Sequence, residues 1–152
     1  MNILRLDHAA LLVKDVERSR QFYCQVLGME VIPGLGTIWL ARGSAEIHLL
    51  GESEPGRAAQ ASGKYYDDDL ADGYTTHIAL EVEDLEEAQR HLKEHGVEIV
   101  CGPRPRGNDG EQLYVRDPDG YVIELFARPP MEWLSRTLHE SSTISEKPGD
   151  MI

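Results

Sequence analysis

Four short stretches of the chain are apolar at every second position. They are Ala9, Leu11 and Val13 in LDHAALLV; Ile47 and Leu49 in AEIHLL; Ile78, Leu80 and Val82 in TTHIALEV; and Ile123 and Leu125 in YVIELF. A period of two predicts strands with one face in a core. Val16, Phe22, Tyr23 and Val26 recur near the helical period, as do Leu85, Ala88 and Leu92, and these predict two helices. Asp15 and Asp84 stand where N-caps are expected, and Glu87, three residues after Asp84, makes a capping box. Gly28 and Gly96 follow the helices and suit a left-handed C-terminal position.

The same order of elements occurs twice. LDHAALLVKDVERSRQFYCQVLGMEVIPG with GTIWLARGSAEIHLL is matched by TTHIALEVEDLEEAQRHLKEHGVEIVCGP with EQLYVRDPDGYVIELFA. Each half reads as β-α-β-β-β, with hairpin turns at RGSA and DPDG. The expected organisation is a first module over residues 1–50, a linker loop over 51–73, a second module over 74–128, and a C-terminal segment over 129–152. Within that last segment MEWLSRTLHE suggests a short amphipathic helix before a flexible tail. The fold class is α+β.

Composition narrows the partners. A net charge of −12 on 152 residues argues against nucleic acid and anionic membranes. No apolar run approaches the ~20 residues that cross a bilayer, and the first residues do not resemble a signal peptide. Cys24 and Cys101 are far apart in sequence and read as reduced thiols. The expectation is a cytoplasmic protein with a small-molecule partner.

Strand parity then singles out four side chains. His8, His48, His77 and Glu124 each lie opposite the apolar face of their strand, on the first and last strands of the two halves. A lone half-buried histidine is usually a hydrogen-bonded core residue. Four such groups at repeat-related positions point instead to a divalent metal, with N and O donors at ~2.0–2.2 Å. The ion would be nickel, zinc, manganese or iron.

At these residues the sequence resembles the glyoxalase/bleomycin-resistance/dioxygenase (vicinal oxygen chelate) superfamily. The motifs are LDHAALLVKDVERSRQFYCQVLGMEV, HIALEVEDLEEA and LYVRDPDGYVIELF, in that order, over about residues 4 to 128. The resemblance implies paired βαβββ modules, mixed sheets curled around a metal-binding cleft, and a homodimer. It also implies metal ligation by His8, His48, His77 and Glu124. Glyoxalase I of that family has glutamate where His48 stands, an arginine where Leu12 stands, and an asparagine where Glu52 stands. These departures argue against a glutathione-specific site. Some fosfomycin-resistance members use a tyrosine at the position of Tyr114, with Arg104 a looser candidate for a phosphonate.

Three chemistries follow. Four ligands leave two open positions for adjacent substrate oxygens, with Glu124 as a base for proton-transfer (lyase or isomerase) chemistry. If His48 stays off the metal, His8, His77 and Glu124 make the facial triad of an extradiol-type Fe(II) dioxygenase. A metal-free drug-binding protein of the bleomycin-resistance kind is the third. His91 and His95, at i,i+4 spacing on a helix, are expected to face solvent, and YYDDDLAD to be a solvated acidic loop.

Overall fold

The computed structural model describes residues 1–63, 75–107 and 110–129. Strand β1 (Ala9–Val13) leads to helix α1 (Val16–Gln21), which runs on through a wide π-helical turn at Phe22–Val26. Strands β2 (Glu30–Ile32), β3 (Ile38–Arg42) and β4 (Ala45–Gly51) complete the first half. A short helix α2 (Arg57–Ser62) follows, where the sequence suggested only a loop. The second half repeats the order as β5 (Ile78–Glu81), α3 (Leu85–Glu94), β6 (Ile99–Pro105), β7 (Glu111–Arg116) and β8 (Val122–Ala127). The acidic YYDDDLAD stretch and the segment MEWLSRTLHE lie outside the described residues.

The strands form two four-stranded mixed sheets, ordered β1-β4-β3-β2 and β5-β8-β7-β6. In each, the first strand runs parallel to the last and the rest pair antiparallel, so both halves have the same topology. β1 and β5 are edge strands, hydrogen-bonded on one side only.

The apolar sides of both sheets enter one core. Leu11, Val13, Leu40 and Ile47 from the first pack in the same cluster as Leu113, Ile123 and Leu125 from the second and Leu92 from α3. The helices begin as the sequence implies. Asp15 accepts from the backbone N–H groups of Glu17 and Arg18, and Asp84 from that of Glu87. Each such cap is worth about 1 kcal/mol. Gly28 and Gly96 have φ of 66° and 67°, a conformation other residues adopt only with strain.

Polar contacts join the modules where the DPDG turn meets α1. The buried Tyr23 hydroxyl donates to Asp117 Oδ2 at 2.9 Å, and Asp117 Oδ1 accepts from the N–H groups of Asp119 and Tyr121. Asp119 in turn accepts from Arg18 Nη2, Ser19 Oγ and the Lys14 N–H at 3.0–3.1 Å. Burial raises the Asp117 carboxyl above its ordinary range despite those donors, and burial beside Asp117 raises the Tyr23 phenol.

His91 departs from expectation. It is half-buried, and its Nε2 donates to the Val26 carbonyl at the end of the π-helical turn, 3.0 Å away. Leu92 does fill the core beside it, but the Val26 carbonyl of the π-helical turn holds the ring. His95 is exposed, as expected.

Candidate metal centre

Alternation along β1, β4, β5 and β8 turns the four predicted side chains away from the apolar core. In β4, Ile47 and Leu49 are buried in the core while His48 takes the other face; in β8, Ile123 and Leu125 do the same around Glu124. Glu124 is only 2 % exposed, so its charge must be met by specific partners.

In the second module those partners are present. His77 Nε2 lies 2.8 Å from Glu124 Oε2, and His77 Nδ1 is 2.8 Å from the Thr75 carbonyl oxygen. A carbonyl only accepts, so Nδ1 carries a proton, and Nε2 meets the carboxylate either by donating a second proton or across a shared cation. A ring N–H held by a backbone carbonyl is also the usual support of a metal-binding histidine. This part of the donor set therefore fits a divalent ion.

The other carboxylate oxygen is anchored. Arg106 Nε donates to Glu124 Oε1 at 2.9 Å, and the Gln112 amide nitrogen reaches the same oxygen at 2.8 Å. The Gln112 amide oxygen accepts from Arg104 Nε at 3.2 Å. Tyr114, buried and directly opposite Glu124 in the β7–β8 register, sets its ring edge-on to His77 with centroids 5.5 Å apart. The Arg104 guanidinium sits 5.4 Å from the Tyr114 ring centre, and that of Arg106 is 4.1 Å from the Phe126 ring centre. A chain of strong net negative charge thus concentrates cationic groups around one carboxylate.

The first module holds a different arrangement. His8 Nδ1 donates to Asp7 Oδ2 at 3.1 Å, which leaves His8 Nε2 as the ring's lone-pair nitrogen. The His8 N–H, and secondarily the Arg5 guanidinium, hold the Asp7 carboxyl below its ordinary range. His48 is engaged elsewhere. Its Nε2 is 2.9 Å from Thr37 Oγ1, which also accepts from Trp39 Nε1 at 3.1 Å, and its ring stacks on Trp39 with centroids 4.1 Å apart and planes 14° from parallel. The Trp39 ring also meets His8 edge-on at 4.5 Å, and the two histidine rings lie edge to face with centroids 6.1 Å apart.

Within a single chain the four candidates therefore stand as two pairs. Among the described residues no three His, Cys, Asp or Glu side chains gather around a common cation position. A cleft of about 890 Å³ opens between the end of the π-helical turn, the β3–β4 turn, β5 and α3, but none of the four lines it.

Residues 5–125 match the family model described as Glyoxalase/Bleomycin resistance protein/Dioxygenase superfamily. The chain belongs to this superfamily. It is 34% identical over 129 residues to a metallothiol transferase FosB from Staphylococcus epidermidis, covering 82% of this chain and 82% of that protein. It is 31% identical over 128 residues to a probable lactoylglutathione lyase from Synechocystis sp., covering 79% and 92% respectively. Among solved structures, an integron cassette protein from the V. Cholerae mobile metagenome aligns with TM-score 0.64 and 29% identity, over 85% of this chain and 98% of that one. Relatives with such different printed activities establish a scaffold and leave its chemistry open.

Several site residues escape the sequence pattern. Gln112 shares strand parity with Tyr114 and was in principle legible. Arg106 was not, because β6 pairs with β7 through register shifts between Ile99 and Arg104 that break the alternation. Thr37 and Trp39 were invisible as a clamp on His48, since the contact depends on side-chain packing across β3 and β4.

Proposed function

We propose that this protein is a metal-dependent enzyme acting on a small anionic molecule with two adjacent oxygens, and that His8, His77 and Glu124 hold its divalent ion. The observation that carries the reading is the facing pair His77 Nε2 and Glu124 Oε2, with the proton of His77 fixed on Nδ1 by Thr75. His8 offers its Nε2 in the same way, with Asp7 in the supporting role. Because His8 and the His77–Glu124 pair do not meet within one chain, a homodimer in which each copy lends His8 to the other is part of the proposal.

The bound ion would supply Lewis-acid polarisation of the substrate oxygens. The protein side chains divide the remaining work. Arg104 and Arg106 favour an anionic substrate group beside Glu124. Tyr114 limits the site next to His77 and presents its phenol to the substrate. Glu124, with Oε1 anchored by Arg106 and Gln112, keeps Oε2 for the ion or for a substrate proton. His48, clamped by Thr37 and Trp39, serves as a proton carrier on the substrate side of the site.

Proton-transfer chemistry of the lyase or isomerase kind is the leading reading. The engagement of His48 with Thr37 favours one alternative, since two histidines and one carboxylate are also the ligand set of extradiol-type Fe(II) dioxygenases.

The test is metal analysis of protein purified without chelators, repeated on His8→Ala, His77→Ala and His48→Ala. Metal should disappear from the first two variants and remain in the third. Metal-free parent protein would overturn the reading in favour of a binding protein. Equal loss in all three variants would restore His48 as a ligand.

A further inference from the structure

His91 and His95 take no part in the proposed centre, yet their rings are arranged as a pair. They stand one turn apart at the C-terminal end of α3, with centroids 4.2 Å apart and planes tilted by 37°. Each ring commits one nitrogen to a backbone carbonyl. His91 Nε2 is 3.0 Å from the Val26 oxygen, and His95 Nδ1 is 2.9 Å from the His91 oxygen. A carbonyl only accepts, so these two nitrogens carry protons. In the neutral rings the lone pairs are left on His91 Nδ1 and His95 Nε2. Among the described residues no protein donor meets either one. His91 is half-buried and lines the cleft between the modules, while His95 is exposed, so an ion can reach the pair from water.

We propose that His91 and His95 form a second metal site, for a divalent ion of the nickel, copper or zinc kind, and that this ion fastens the second module to the first. Imidazole nitrogen suits those ions, whereas calcium and magnesium prefer oxygen. Two nitrogens sharing one ion at ~2.0–2.1 Å stand about 3–4 Å apart, a spacing open to rings with centres this close. The carbonyl bonds fix the tautomers and make the other nitrogens more basic, which is the usual support of a metal-binding imidazole. The setting favours a cation. The pair lies at the negative end of a helix, Glu94 offsets Lys93 in the same turn, and the chain carries a net charge of −12. Water completes the coordination. The link between modules runs through His91. Val26 ends the π-helical turn of the first module, and α3 belongs to the second. An ion on Nδ1 polarises the ring and strengthens the Nε2–H bond to the Val26 carbonyl, so metal binding and module docking support each other. The site is independent of His8, His48, His77 and Glu124, none of which lines the cleft beside His91.

The experiment is a nickel(II) titration of the full chain, followed by calorimetry and by the NMR signals of the histidine rings. The parent is compared with His95→Ala, His91→Ala and His77→Ala, and circular dichroism without metal checks that each variant folds. His95→Ala, at an exposed position, is the variant least able to disturb the fold. In the parent and in His77→Ala, nickel should broaden the His91 and His95 signals together, with one ion per chain assigned to the pair. His95→Ala and His91→Ala should each weaken that binding at least tenfold. At about 100 times its dissociation constant, nickel should raise the Tm of His77→Ala by about 3–5 °C, and this rise should vanish in His77→Ala/His95→Ala. Broadening confined to other histidines, or His95→Ala binding like the parent, overturns the site. A Tm rise that survives in the double variant overturns the fastening of the modules.

Discussion

Replacing Tyr23 by phenylalanine should cost about 2 kcal/mol at pH 7, because it removes one donor from a buried carboxylate. Tyr23 is fully buried, and its hydroxyl is one of the donors that hold Asp117, itself 5 % exposed. Phenylalanine keeps the ring packing and deletes only the oxygen, so the loss is that of a charge-assisted bond, roughly 1.5–3 kcal/mol. For a domain of this size that lowers Tm by about 4–8 °C. The pH dependence gives the sharper test. Burial raises the folded-state pKa of Asp117 above its unfolded value, so between those two pKa values the folded chain holds a proton that the unfolded chain releases. The stability that proton confers is complete below the unfolded pKa and is lost as pH rises through the folded one. The Tyr23 bond favours the charged form, so Tyr23→Phe moves the folded pKa further up. The substitution should therefore cost most at neutral pH and clearly less near pH 4. Urea unfolding at both pH values measures this, with Asp117→Asn as a background in which the pH dependence should flatten. An equal loss at the two pH values, or one under about 0.5 kcal/mol at pH 7, would refute the assignment of Asp117 as the charged partner.

Other consequences can be checked in the same way. Asp119→Ala strips the acceptor from Arg18, from the Lys14 N–H and from the fully buried Ser19 hydroxyl, and should cost about 3 kcal/mol in urea unfolding. Gly102→Ala places a Cβ 2.7 Å from the Gln112 carbonyl oxygen at a φ of +92°, and should cost more than about 2 kcal/mol by the same assay. Thr37→Val removes the oxygen that holds His48 and should leave metal content unchanged while lowering turnover tenfold or more, as read by elemental analysis beside steady-state rates. If metal is lost with Thr37→Val, His48 belongs among the ligands.

The sequence alone settled the repeated order of elements and the side of each strand that enters the core. Strand and helix periods are local properties, set by which faces must leave water, and the caps at Asp15 and Asp84 and the glycines at 28 and 96 mark their ends by equally local geometry. The same parity put His8, His48, His77 and Glu124 on the faces turned away from the core. Tertiary structure decided what each of those side chains meets. Thr75 fixes the proton of His77, Arg106 and Gln112 tie one oxygen of Glu124, and Thr37 with Trp39 draws His48 aside. Most of these contacts join separate strands or irregular backbone, such as the shifted register of β6, so their geometry follows from packing and not from spacing along the chain. For the same reason the sequence could align four ligand candidates by symmetry, but only three-dimensional placement divided them into two pairs within a chain. Hydrophobic alternation dictates which way a side chain points, and the distance between two such side chains is fixed only when the sheets dock.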